Sequence, residues 1–139
     1  MIVLALDVGD RRIGVAVSDP SGMLARTVTT VERTGRDFGV IAGLVERHAA
    51  DRIVAGYPRN MNGSVGEQAR KVETYVRGLA KHVSVPIELW DERLSSAEAE
   101  RLMREAGRRP EERRRRIDAV AAAVILQRYL DADAGRESS

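Results

Sequence analysis

Cysteine is absent from this 139-residue chain, histidine is confined to His48 and His82, and lysine to Lys71 and Lys81. Without cysteine there is no disulfide framework, no thiolate nucleophile and no cysteine zinc site. With so little imidazole, a bound metal has to be held by oxygen. Aromatic residues make up only 4%. Phe38, Tyr75, Trp90 and Tyr129 fall mostly on expected core faces, which leaves little for a base-stacking platform. Long apolar runs are missing too. The opening MIVLALDVG carries Asp7 in its middle and lacks a basic flank. It falls short of the ~18 apolar residues a bilayer requires, so a cytoplasmic protein with no membrane partner is expected. The length suits one domain, since single domains run to roughly 100–200 residues. A chain of this size buries about two-thirds of its unfolded surface without metal or disulfide staples. Two-domain architectures are excluded.

Nor does one sign of charge dominate: 23 Lys and Arg face 21 Asp and Glu, for a formal net charge of +2. The balance is uneven along the chain. The segment RLMREAGRRPEERRRR, from Arg101 to Arg116, holds eight arginines against three glutamates, a local +5. Such a run is a solvated face more often than a nucleic-acid site. Guanidinium groups nevertheless pair bidentately with phosphate, so Arg108, Arg109, Arg113, Arg114, Arg115 and Arg116 are candidate polyanion contacts.

Hydrophobic periodicity gives the elements. Ile2–Val8 is apolar and β-branched like a buried strand. After the turn at Gly9 to Arg12, Ile13–Ser18 reads as its hairpin partner and Ala25–Glu32 as a third strand. The period turns helical over Asp37–Ala50, where Phe38, Ile41 and Leu44 or Val45 share a face. Arg52–Gly56 is a short strand ending in Tyr57-Pro58, Arg59–Gly66 a polar loop, and Val65–His82 a long helix. Pro86–Trp90 is the last strand, with Asp91, Glu92 and Arg93 just past its end. Ser95 and Glu98 form a capping box for a helix over Ala97–Ala106. A final helix covers Ile117–Leu130, and the tail 132–139 is expected to be disordered. The pattern predicts one α/β domain over 1–131. Its five-stranded mixed sheet has three antiparallel strands then two parallel ones, flanked by helices on both faces.

Most acids fall on helix faces and in turns, but Asp7 lies among Leu4, Ala5, Leu6 and Val8. A bare carboxylate there costs on the order of several kcal/mol unless it is paired or metal-bound. Alternation puts Asp7 on the face of Val3 and Ala5, near the strand's C-terminal end, where α/β sheets open their ligand crevices. A salt bridge or a cap on the Gly9 turn is the alternative reading. One of Asp91 and Glu92 faces the same crevice if the strands are close. Asp118, at the start of the last helix, is the third unusual acid, although the helix dipole alone favours an acid in a first turn. Carboxylates within a few ångström raise one another's pKa unless a cation intervenes. Hard oxygen donors favour Mg²⁺ or Mn²⁺, and two such ions ~3.5–4 Å apart suit phosphodiester hydrolysis.

Four stretches, LALDVGDRRIGVAVSD, GYPRNMNGSVGEQA, DERLSSAEAE and IDAVAAAVILQRYL, resemble the signature blocks of the YqgF/RuvX family of Holliday-junction-resolvase-like nucleases. They fall in order from near Met1 to Leu130. The resemblance implies an RNase H-like fold and a metal-dependent phosphodiester hydrolase. The implied nuclease acts on RNA in maturation of the small-subunit ribosomal RNA precursor, and so in ribosome biogenesis. By the same resemblance Asp7, Glu92 and Asp118 are the catalytic residues and metal ligands. Asp7 would bridge two Mg²⁺ or Mn²⁺ ions while the other two each complete one coordination sphere, with Asp91 pointing away. Arg12, Asn60, Ser64 and Arg93 match recurrent positions and are suited to holding phosphate, beside the arginine cluster. The family's NMDGS loop reads NMNGS here, so Asn62 is a poor metal ligand, although Asn-Gly suits a tight turn. LSS follows DER where LST or LTT is usual.

Other readings compete. Resolution of branched DNA keeps the chemistry and changes the substrate; a symmetric junction needs two sites, so a homodimer goes with it. A non-catalytic RNA-binding assembly factor keeps the fold, against an intact acidic trio. Actin-like kinases share the strand-DxG-turn-strand opening but bind nucleotide between two domains of this kind, and the chain supplies one.

Overall fold

A computed structural model of the chain describes residues 1–93, 104, 107–108 and 110–137. Strands β1 (Val3–Val8), β2 (Arg12–Ser18) and β3 (Ala25–Glu32) are followed by α1 (Asp37–Arg47), β4 (Arg52–Arg59), α2 (Glu67–Leu79), β5 (Ile87–Arg93) and α3 (Glu111–Glu137). The strands lie in the order β3-β2-β1-β4-β5. β1, β2 and β3 form an antiparallel meander. β4 then pairs parallel to β1, and β5 parallel to β4. The mixed sheet and its two covered faces match the sequence pattern.

Period-two alternation divides β1 between the two faces. Leu4, Leu6 and Val8 join Ile13, Val15 and Val17 of β2 under α1 and α2. Val3 and Ala5 join Ala16, Val54, Ala122 and Leu126 under α3. On the first face Asp37 is buried, and burial alone would push its carboxyl up. The Tyr75 hydroxyl, donating at 2.7 Å, the Gly35 N–H at 3.0 Å and the charge of Arg33 outweigh that and hold it below its ordinary value. No helix among the described residues is long and apolar enough to cross a membrane.

Three boundaries that shape the site, the ends of β4 and β5 and the start of α3, differ from the sequence pattern. β4 continues through Tyr57 and Pro58 to Arg59, each paired with a residue of β5. Asp91, Glu92 and Arg93 therefore lie within β5 rather than past its end. Pro58 is tolerated because the pairing of β1 with β4 ends at Ala55, so at Pro58 the strand has a neighbour on one side only. α3 starts at Glu111 instead of Ile117, with Glu111 and Glu112 in its first turn. The Arg113 and Arg114 amides both bond the Pro110 carbonyl at its start, and Arg113 to Arg116 become helical. At its other end α3 runs to Glu137, beyond the 132–139 boundary expected for a disordered tail; once a helix is nucleated, each added residue costs little. The expected helix over 97–106, with Ser95 and Glu98, lies outside the described residues apart from Arg104.

α3 lies unusually close to the sheet. A Cβ placed on Gly14 of β2 would stand 1.9 Å from the Asp118 carbonyl oxygen and 2.3 Å from its carbon. Both are backbone atoms, so nothing there can rotate away. Gly39, on α1, has nothing within 4 Å of the same construction. Gly14→Ala therefore forces α3 off β2 and should lower unfolding free energy by about 3 kcal/mol in urea titrations. Gly39→Ala should be neutral or mildly stabilising. Equal effects of the two substitutions would contradict this packing.

Candidate active site

β1 carries Asp7 opposite Gly14 of β2. On the other side Leu6, Ala55 and Leu89 share one row across β1, β4 and β5. The next residue on each strand is Asp7, Gly56 and Trp90. Trp90 packs edge-on against Tyr129 of α3, with ring centroids 5.4 Å apart, which fixes that side of β5 as the α3 side. Glu92, two residues on, shares it. Asp91 has the opposite parity, is exposed, and has Arg59 Nη1 3.5 Å from its Oδ2. Asp118 is the eighth residue of α3, too deep for the dipole of a first turn to account for it. The Gly14 contact instead sets its backbone on the sheet beside Asp7.

The structure thus brings Asp7, Glu92 and Asp118 within electrostatic reach of one another on the α3 side of the sheet, at the carboxyl ends of β1 and β5. Their charges interact. Burial, followed by the charges of Asp118 and Glu92, pushes Asp7 up to about 6. Asp118 Oδ2 accepts from Arg12 Nε at 2.9 Å, while Arg12 Nη1 reaches Glu111 at 2.6 Å. Glu92, 9% exposed, accepts at Oε2 from Arg128 Nη1 at 2.7 Å, and its Oε1 is buried with no hydrogen-bond partner among the described residues. Carboxylates without sulfur or imidazole fit a hard divalent cation, and the orphaned Oε1 is a donor atom left over by the protein's own bonding. As the side chains stand, no group of three or more metal-ligating residues among the described ones is arranged to hold an ion. Asp118 and Glu92 are each turned to an arginine.

The sequence-derived phosphate contacts fare unevenly. Arg12 is engaged with Asp118 and Glu111, which makes it a buttress of the site. In the loop after β4, Asn60 Nδ2 donates to Ser64 Oγ at 2.9 Å, and that hydroxyl donates to Asn62 Oδ1 at 2.7 Å. The Ser64 amide bonds the same oxygen at 2.9 Å, and Gly63 supplies the turn at φ 86°. Asn60 and Ser64 therefore close the loop upon itself. Arg114 lies 3.9 Å from Glu111, Arg115 pairs with Glu32 at 2.6 Å, and Arg116 lies 3.8 Å from Glu112. Arg108 and Arg113 are exposed. Arg93 ends β5 opposite Arg59, and Arg109 lies outside the described residues.

Two residues escaped the sequence reading. Arg128 was legible only as the one basic residue within IDAVAAAVILQRYL, an anomaly on a helix otherwise built for packing. Gly14 stands at a recurrent position of the first signature block, but its packing role gave no sign, since a close approach of distant segments leaves no local pattern.

The mixed sheet with an acid in its central strand is the RNase H-like fold of the resolvases. T. thermophilus RuvC, solved in complex with a Holliday junction substrate, superposes with a TM-score of 0.53 at 14% identity, covering 97% of this chain and 96% of its own. The fowlpox virus resolvase, solved with Holliday junction DNA, gives 0.54 at 10% identity, over 95% of this chain and 98% of its own. The chain belongs to the RuvX family, whose model, described as "Holliday junction resolvase", matches residues 1–132. A relative in Clostridium novyi, named "Putative pre-16S rRNA nuclease", is 46% identical over 133 residues, 94% of this chain and 98% of that protein.

Asp7 binds its proton more tightly folded than unfolded, so its ionised form opposes folding. That cost is absent below the unfolded value near 3.8, grows as pH rises and is complete above about 6. With divalent ions chelated, Asp7→Asn should raise the melting temperature at pH 7 by roughly 3–8 °C, corresponding to ~1–2 kcal/mol. The difference should vanish near pH 4. A lower melting temperature for the variant at pH 7 would contradict the burial and crowding assigned to Asp7.

Proposed function

We propose that the chain is a metal-dependent nuclease that hydrolyses phosphodiester bonds in RNA. Its substrate is the small-subunit ribosomal RNA precursor, its role ribosome biogenesis, and its place the cytoplasm. The observation that carries this reading is the convergence of acids from β1, β5 and α3 on one side of the sheet, where Asp7 feels both of the others. The choice of RNA draws support from the relative named for pre-16S rRNA.

Asp7, Glu92 and Asp118 would hold the ions. When bound, a pair of Mg²⁺ or Mn²⁺ ions supplies activation of water and neutralises charge at the scissile phosphodiester. The chain's residues provide the frame. Asp7 is fixed in a central strand, Arg12 aims Asp118, and Arg128 aims Glu92. Arg113 to Arg116, now the opening turns of α3, lie directly before Asp118 and would bind flanking phosphates together with Arg108 and Arg109. Arg93, at the end of β5, would add a contact, as would Asn60 and Ser64 once the hydrogen bond between them opens, while Arg12 stays with Asp118 and Glu111. In the reaction a water oxygen bonds to phosphorus, the bond from phosphorus to the departing sugar oxygen breaks, and a proton passes to that oxygen.

Cleavage of branched DNA is the second reading, favoured by the family's description and the fold shared with resolvases. It calls for a homodimer presenting two sites. End-labelled precursor RNA and a four-way DNA junction should be incubated with wild type and Asp7→Asn, with and without Mn²⁺. Metal-dependent cleavage of the RNA, reduced at least roughly 100-fold in the variant, is expected. Cleavage confined to the junction would transfer the assignment to DNA. Binding without cleavage would make the protein an assembly factor and overturn the proposal.

A further inference from the structure

Glu92 carries a carboxylate in a nearly dry place, and a charge so placed has to be compensated. The two arginines at the crevice compensate in different ways. Arg12 is 16% exposed and tied to both Asp118 and Glu111, so it is locked. Arg128 is 58% exposed and reaches inward from α3 to a single Glu92 oxygen at 2.7 Å. The other oxygen of that carboxylate is buried and has no hydrogen-bond partner among the described residues. One half of Glu92 is thus paired with a cation that can withdraw to solvent, and the other half is ready for a ligand.

Resting on the metal site proposed above, we propose that Arg128 is an exchangeable counter-ion. It holds Glu92 aimed toward Asp7 and Asp118 until a divalent cation displaces it. The consequence is a positioning residue that lowers metal affinity, because the ion has to break a charge-assisted hydrogen bond to enter. An arginine that merely propped up Glu92 would act in the opposite direction, since its removal would let the carboxylate turn away.

Calorimetric titration of the full-length chain with Mn²⁺ at pH 7 separates the two. Arg128→Gln should bind Mn²⁺ roughly 5- to 10-fold more tightly than wild type. Arg128→Lys should stay near wild type. Arg47→Gln, an exposed charge removed from α1 across the sheet, should also stay near wild type and controls for net charge. Without metal, Arg128→Gln should melt below wild type and recover fully on adding Mn²⁺. Equal or weaker Mn²⁺ binding by Arg128→Gln, with wild type binding normally, would overturn the exchange while leaving the metal site standing. Absence of Mn²⁺ binding by wild type would overturn the metal site itself and the exchange with it. Should Arg128→Gln fail to fold, the wild-type protein decides. The Arg128 Nε–H resonance should move on adding Mg²⁺, and an unmoved resonance would overturn the exchange.

Discussion

A side chain at position 14 would meet the Asp118 carbonyl at 1.9 Å, and its absence lets the backbone of α3 lie directly on β2. Much of the molecule follows from that contact. Gly14 is the strand partner of Asp7, so the same approach that seats the helix also brings Asp118 beside a partly buried acid. Further along α3, Ala122, Leu126 and Tyr129 continue the seam over the face of Val3, Ala5 and Val54. Trp90, meeting Tyr129, orients β5 so that Glu92 rather than Asp91 faces the helix. Packing and site geometry are consequences of one close approach.

The electrostatic arrangement is less settled than the packing. Three carboxylates sharing a crevice repel, and the chain answers with guanidinium groups on two of them, Arg12 at Asp118 and Arg128 at Glu92. Asp7 bears the remaining strain as a raised proton affinity. A fold optimised for stability alone would not collect one buried and two partly buried acids this way, since removing such groups and their partners is often neutral or favourable. Such a concentration of opposed charge is characteristic of sites that perform chemistry.

Asp7 was legible in the sequence because an acid inside an apolar, β-branched run has no ordinary explanation. The mixed sheet, three antiparallel strands followed by two parallel ones, was also readable, from the shift of period two to period 3.6 after Glu32. Asp118 was harder: its neighbours suggested a helix start, because the arginine-rich segment before it has no apolar periodicity to mark two further turns of helix. The pairing of Glu92 with Arg128 lay out of reach. These residues are 36 positions apart, and whether they meet depends on the angle at which α3 crosses the sheet. Local pattern decides what each element is, whereas the contacts that arm the site are set by how the elements stack.

The central claim, that Asp7, Glu92 and Asp118 act on one another in a single crevice, is tested most directly by titrating the Asp7 carboxyl carbon by NMR. The titration should be run in wild type, Glu92→Gln and Asp118→Asn with divalent ions chelated. The wild-type group should titrate at about 6, and each neutral neighbour should lower that value, Asp118→Asn by the larger amount. An ordinary carboxylate value in wild type, or one that neither substitution moves, would contradict the account.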